Sequence, residues 1–254
     1  MSEAIAKARD FLRCLCRHAF DGETAPFSLP PVYAVIDVET TGFSYDTDLI
    51  WSAGWAVIDS GAVVDGGEVI LNWLQDEDID APWLTSQIMR QQTEMAAAGR
   101  KCKLSLERLA TGDPPKDGLQ RCLRAVRGLL SAESTIAGHN LWRFDRYMLN
   151  AHAARFCDHD GALPWDCKRV VDTGLIEKAL QADLSPWRGE SREAWYRRVY
   201  DTRVRVRWSL EPHCVDKYDL ARRFDLNMAE AHGSQFDCVL THALLETYRE
   251  IVSG

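Results

Sequence analysis

The sequence predicts an α/β fold: a mixed five-stranded sheet with helices on both faces, preceded by a helical extension. Three observations lead there. Three short, β-branched segments joined by tight turns come first. Helical periodicity dominates afterwards. Two further short strand candidates are interleaved among the helices, the order expected of a mixed sheet covered on both sides. The chain is large enough for this: 254 residues, 46% of them apolar and 27% charged. A chain of this size buries roughly 70–75% of its unfolded surface, and global disorder is excluded by the aliphatic content.

The elements follow in order. Residues 1–20 read as an amphipathic helix, with Ala4, Ala8, Phe11, Leu12 and Leu15 at helical spacing. Pro26, Pro30 and Pro31 then make a connector that no helix can cross. Residues 32–38, VYAVIDV, are the first strand. Residues 49–58 and 62–71 are the next two, with Asp59-Ser60-Gly61 as the hairpin turn. An acidic loop over 75–80 precedes a helix over 82–98. The breaker at 111–118, TGDPPKDG, separates it from a helix over 119–130. Residues 134–137 are a fourth strand and 141–156 a helix. Residues 170–173, VVDT, are a fifth strand or the start of a helix through Ala182. Helices over 216–224 and 236–251 close the chain. The expected organisation is an extension over 1–31 and one domain over 32–254, with an insertion around 187–208.

Composition narrows the function classes. The net charge of −8 argues against a protein that coats nucleic acid non-specifically. It leaves room for an enzyme acting on nucleic acid, because bound divalent ions reverse the local sign of a carboxylate site. The eight cysteines include no CxxC pair, so free, buried thiols are expected rather than disulfides. A zinc site drawn from Cys157, His159, Cys167, His213 and Cys214 matches no standard spacing. The chain has no membrane-length apolar run and no secretory signal pattern, so a cytoplasmic location is expected. Residues 187–208 are the exception to the acidic composition: seven Arg against three acids, interleaved with Trp187, Trp195, Tyr196, Tyr200 and Trp208. Arginine with interleaved aromatics suits single-stranded nucleic acid. The competing reading is an exposed helix and strand whose rings pack inward.

Three clusters carry chemistry. In residues 35–43, VIDVETTGF, Asp37 and Glu39 lie two apart near a strand end, and period two puts both on one face. Two such carboxylates repel unless something positive sits between them, and hard divalent cations bind oxygen. A chance DxETTG in this length is on the order of 1 in 10⁴. Thr40, Thr41 and Gly42 turn the chain after the pair, where small residues let backbone N–H groups approach a ligand. In GHNLWRFDRYML, residues 138–149, Asp145 opens a helix and His139 and Asn140 offer hydrogen bonds at the same edge. His139 taken alone reads as a satisfied histidine. In AHGSQFDCVLTHALL, residues 231–245, His232 sits in a loop five residues before Asp237. An imidazole titrating near neutrality is a candidate general base, or else a loop histidine without a role.

In this order the three segments resemble the exonuclease motifs of the DEDDh (DnaQ-like) family, from about Val32 to Ile251. VIDVETTGF is similar to the first motif, GHNLWRFD to the second, and His232 with Asp237 to the His-x4-Asp of the third. Asp172 resembles a recurrent, more structural Asp. The usual Gly-Ile-Thr-like turn is missing, with Ala97-Ala98-Gly99 the candidate for its place. The resemblance covers neither 1–31 nor 187–208. It implies a ribonuclease H-like fold and two divalent cations, magnesium or manganese, held by Asp37, Glu39, Asp145 and Asp237. It implies His232 as general base, and release of nucleoside 5′-monophosphates from a 3′ end. The substrate implied is single-stranded DNA, slightly favoured, or RNA. Thr40, Thr41, Gly42, Phe43, His139 and Asn140 would contact it. Phe43 would stack on the last base; Trp142 is a second wedge or a core residue. The alternative is a catalytically quiet nucleic-acid-binding or partner-docking module on the same fold.

Overall fold

The structure is a computed structural model and describes residues 3–21, 29–97, 99, 102–132, 134–157, 163–207 and 209–254. The connector at Pro26, the candidate turn residue Ala98, His159 and Trp208 lie outside the described residues. The elements are α1 (Glu3–Arg17), β1 (Val32–Thr40), β2 (Ile50–Asp59), β3 (Ala62–Ile70), α2 (Ala81–Ala97), α3 (Leu106–Ala110), α4 (Pro115–Ser131) and β4 (Thr135–Gly138). There follow α5 (Asp145–Phe156), β5 (Val170–Asp172), α6 (Thr173–Ala182), α7 (Arg192–Asp201), α8 (Val215–Tyr218), α9 (Leu220–Arg223) and α10 (Ser234–Ser253).

The five strands form one mixed sheet in the order β3-β2-β1-β4-β5. The β2 and β3 strands pair antiparallel with their predecessors, whereas β1–β4 and β4–β5 pair parallel. Helix α10 packs along β1, β2 and β3, with α6 and α1 against it, and α4 and α5 pack on the sheet and on each other. Helix α1 buries Ala8, Phe11, Leu12 and Leu15, the stripe its sequence predicts. The VVDT segment is both things expected of it: Val170–Asp172 is the edge strand, and Asp172 caps α6 by accepting from the Leu175 N–H at 3.0 Å.

Two helices differ from the sequence expectation. The helix predicted over 141–156 starts at Asp145, because the Asp172 carboxylate draws the N–H groups of Asn140 (3.0 Å) and Trp142 (2.9 Å) into a loop. The helix predicted over 216–224 is broken into α8 and α9 at Asp219, which takes a left-handed φ of 53°. Helix α7, inside the Arg/Trp-rich segment, covers the β5 edge. The Tyr196 hydroxyl donates to Val170 O at 3.0 Å and accepts from the Asp172 N–H at 3.1 Å. Trp195 and Tyr196 are fully buried, so these two rings serve packing and cover a strand edge that would otherwise be unpaired. Trp142 is likewise buried, under the Arg146 guanidinium at 3.8 Å. No helix among the described residues is long and apolar enough to cross a membrane.

Candidate metal and active site

The site sits where β1 outruns its parallel neighbour. Strand β4 pairs with β1 only as far as Val35↔Ala137. The Val38 N–H therefore has no strand partner and donates instead to Asp145 Oδ1 at 2.8 Å. One hydrogen bond thus ties the first acidic segment to the second. Such a crevice, beyond the carboxyl ends of strands at a change of direction, is where open α/β sheets place their ligands.

The third segment arrives through a glycine. Asp37, Gly54 and Glu68 are paired in register across β1, β2 and β3. A Cβ on Gly54 would lie 2.5 Å from the Ser234 carbonyl carbon and the Gln235 nitrogen. The start of α10 therefore occupies the side-chain space that Gly54 leaves open. Ser234 is fixed there by Ser52 Oγ at 2.6 Å and by donating to Glu68 Oε1 at 3.1 Å. One turn on, Asp237 faces Asp37 and Glu39, and its Oδ1 accepts from the His232 N–H at 3.3 Å. His232 holds a left-handed φ of 61°.

Ligand atoms of Glu39, His232 and Asp237 lie within 4.8 Å of one another, the one potential metal-binding group among the described residues. Asp37 and Asp145 stand outside that triplet but interact with it electrostatically. Burial pushes the Asp37 carboxyl well above the ordinary carboxylate range, with Asp237, Asp145, Glu39 and Glu68 adding to the rise. Glu39 is raised by burial, then by Asp237 and Asp145, against the opposing pull of Arg108. Burial takes Asp145 to about 7 despite the Val38 hydrogen bond. Asp237 is pushed to about 6 by burial, with His232 opposing. Crowded carboxylates of this kind stay charged together only with positive charge among them. Hard oxygen donors fit a divalent cation, and the His232 imidazole lies beside them.

A cleft of about 600 Å³ opens onto this cluster, lined by Glu39, Thr40–Phe43, Arg90, Lys103, Phe144 and His232. Phe43 is 86% exposed on its rim, edge-on to Phe144 at 5.8 Å. Thr40 and Thr41 are buried. The Thr41 N–H donates to Leu49 O at 2.9 Å and its hydroxyl to Asp48 Oδ1 at 3.1 Å, so both are engaged within the protein. His139 contacts Thr173 Oγ1 at 3.0 Å, and with Asn140 it lines a neighbouring cleft rather than this one. Sequence reasoning missed three acids. Asp48 braces the turn after β1 and fills the space a Gly42 Cβ would need. Glu68 gathers Ser52, Ser234 and Arg108 behind the cluster. Glu211 sets Oε2 3.0 Å from His232 Nε2. Each is a lone acid without a local pattern; only the cross-strand register with Gly54 could have singled out Glu68.

No family profile matches the sequence, and no curated protein sequence matches it. Solved structures do. A structure of exonuclease I is 16% identical with a TM-score of 0.55, over 88% of this chain and 43% of that one. The zinc-bound E. coli exonuclease I–single-stranded DNA complex is 14% identical with a TM-score of 0.54, over 88% and 42%. The E. coli enzyme with a dA16 oligonucleotide is 15% identical with a TM-score of 0.54, also over 88% and 42%. The chain spans about two fifths of the length of these structures. These superpositions, over 88% of the chain, show that it has the ribonuclease H-like fold of exonuclease I.

Proposed function

We propose that this chain is a metal-dependent 3′–5′ exonuclease that hydrolyses single-stranded nucleic acid, DNA before RNA, and releases nucleoside 5′-monophosphates. The observation that carries the reading is the convergence of Glu39, Asp237 and His232 beside Asp37 and Asp145 at one strand end. The DNA preference draws on the fold neighbours that hold DNA oligonucleotides. Asp37, Glu39, Asp145 and Asp237 would hold two divalent cations, magnesium or manganese. When bound, such ions lower the pKa of water and neutralise charge on the phosphoryl group.

The chain's own residues do the rest. His232, at the cleft wall beside Asp237, takes the proton of the attacking water. Its loop geometry is fixed by the N–H bond to Asp237, and Glu211 Oε2 lies 3.0 Å from its Nε2. Phe43 is free to stack on the terminal base. Lys103 and Arg90 line the cleft as cations near the phosphate.

The test is digestion of 5′-labelled DNA and RNA strands, with free and blocked 3′ ends, in magnesium and in EDTA. Expected is a ladder shortening from the unblocked 3′ end, abolished by EDTA and by Asp37→Ala. His232→Ala should keep metal binding by calorimetry and lose about 10²–10⁴-fold in rate, the usual worth of a general base. Binding without digestion would replace this reading with a quiet binding module. Internal cuts would make the chain an endonuclease.

A further inference from the structure

The Arg-rich segment divides in two by what its arginines touch. In α7, Arg192, Arg197 and Arg198 are engaged within the protein, while Arg188 before it is exposed. Arg192 Nη1 donates to Lys168 O at 2.6 Å. Arg197 pairs with Glu193 at 3.7 Å, and Arg198 pairs with Glu190 at 2.8 Å while its guanidinium lies 4.0 Å from the Trp187 ring. Downstream, residues 202–207 run without a helical turn or bend and carry Arg203, Arg205 and Arg207, all exposed. Among the described residues these three guanidinium groups have no acid and no acceptor. Alternate residues of an extended chain project to one side about 6.6 Å apart.

The upstream end of this segment meets the loop that leads into Asp145, and its downstream end is held by α6. Upstream, the Tyr200 ring lies 4.1 Å from the Arg143 guanidinium, and Asp201 lies 3.9 Å from it. Arg143 adjoins Phe144, a wall of the acidic cleft. Downstream, the Arg207 carbonyl accepts from Gln181 Nε2. Arg207 also lines a second cleft, of about 870 Å³, with Asn140 and Lys217. The turn Leu210–Cys214 separates the clefts: Leu210 and Pro212 line the second, while Glu211 between them reaches His232 in the first.

We propose that Arg203, Arg205 and Arg207, with the cleft beside Asn140, bind successive backbone phosphates of a single strand on the 5′ side of the acidic cluster. Guanidinium groups pair phosphate oxygens through two parallel hydrogen bonds. Three exposed arginines at alternate positions, unpaired among the described residues, on a chain of net charge −8 are a local attractor for a polyanion beside a site that repels one until metal is bound. The inference rests on the exonuclease reading only for the direction in which the strand runs.

The experiment reads binding without hydrolysis. Fluorescent, hydrolysis-resistant phosphorothioate strands of about 20 nucleotides, DNA and RNA, exceed a typical single-strand site of about 4–16. Dissociation constants are measured by anisotropy in magnesium from about 50 to about 200 mM salt. Wild type is compared with the triple variant Arg203→Gln/Arg205→Gln/Arg207→Gln. A control triple, Lys116→Gln/Arg124→Gln/Arg127→Gln on α4, removes the same charge elsewhere.

Each single-strand phosphate contact contributes about 0.7 to the slope of log K against log salt, so the first triple should flatten it by about 2. DNA and RNA should respond alike, and the control slope should stay at the wild-type value. A wild-type slope in the first triple overturns the proposal. So does equal flattening in both triples, or a change confined to one sugar type. If the first triple melts early, single substitutions replace it, each expected to flatten the slope by about 0.7. An active nuclease with an unchanged slope removes the arginine row alone. A flattened slope in a chain that never digests DNA keeps the row and removes the exonuclease reading.

Discussion

Gly54→Ala tests the architecture of the site without touching an acid or the histidine. The new methyl group would meet the Ser234 carbonyl carbon and the Gln235 nitrogen at 2.5 Å, where ordinary contact begins at 3.4 Å. Both neighbours are backbone, so neither yields by a rotamer change, and the start of α10 must retreat. A retreat of roughly 1 Å carries Asp237 and the His232 loop with it, and misplacement of that size costs about 10²-fold in rate. Overpacking of this kind also costs about 1–3 kcal/mol, which lowers the melting temperature by about 2–4 °C per kcal/mol in a chain of this length. The assay pairs single-turnover digestion of a single-stranded oligonucleotide in saturating magnesium with thermal melting. Gly128→Ala is the control, since nothing lies within 4 Å of its added Cβ and it sits within α4. That change should stabilise by up to about 1 kcal/mol and leave the rate alone. A folded Gly54→Ala protein that digests at the wild-type rate would refute the claim that α10 is seated through this glycine.

Three further outcomes follow from the geometry. Asp145 and Asp237 have folded pKa values raised from 3.8 to about 7 and about 6. Without metal, their contribution to stability is therefore full below about pH 4 and is lost as pH rises through 6 to 7, because the unfolded chain releases those protons first. Melting in EDTA between pH 4 and 8 should show this loss, Asp145→Asn should remove part of it, and magnesium should stabilise more at pH 8 than at pH 5; a magnesium shift independent of pH would contradict the assignment. Glu177 is fully buried and accepts from Lys217 Nζ, the Tyr218 hydroxyl and the Tyr248 hydroxyl, so Glu177→Ala should cost about 3–5 kcal/mol in denaturant unfolding by stranding them. Phe43→Ala removes an exposed ring and should change stability by less than about 0.5 kcal/mol, while raising the Michaelis constant for single strands about tenfold if one base stacks there.

What could be read from the sequence was local in origin. Period-two spacing put Asp37 and Glu39 on one face of a strand, and the strand is there. The Asp237 position early in a terminal helix followed from the helical pattern over 236–251. What could not be read was long-range. The loop before Asp145 exists because a carboxylate on β5 captures two of its N–H groups, a contact that no window of local periodicity contains. The break at Asp219 depends on a left-handed residue that is not glycine. The segment 187–208 was ambiguous because Trp and Arg serve both packing and nucleic-acid contact. Only burial separates Trp195 and Tyr196, inside the core, from the exposed Trp187 and the free arginines after α7.

The two electrostatic features of the molecule are consistent only if taken together. An ionised acidic cluster at the head of a sheet repels a polyanionic substrate, and without metal it holds protons up toward neutral pH, chiefly through burial, with neighbouring carboxylates adding to the rise. Divalent cations would relieve both at once, converting the cluster from a barrier to an attractor for phosphate. A strand that reaches the cluster must still be held beyond it, and the free guanidinium groups begin one residue past the α7 C-cap, within reach of the Arg143 loop. On this view metal affinity and strand affinity are linked. Removing the cations should weaken strand binding more than the loss of their direct contacts would, because the bare carboxylates then oppose the arginine row across the turn that carries Glu211. Measured in EDTA and in magnesium at about pH 8, above the raised values of Asp145 and Asp237, the wild-type chain should lose far more affinity than a quadruple Asp37→Asn/Glu39→Gln/Asp145→Asn/Asp237→Asn variant, whose cluster carries no charge to unmask; equal losses would show that the acids and the arginines act on the strand independently.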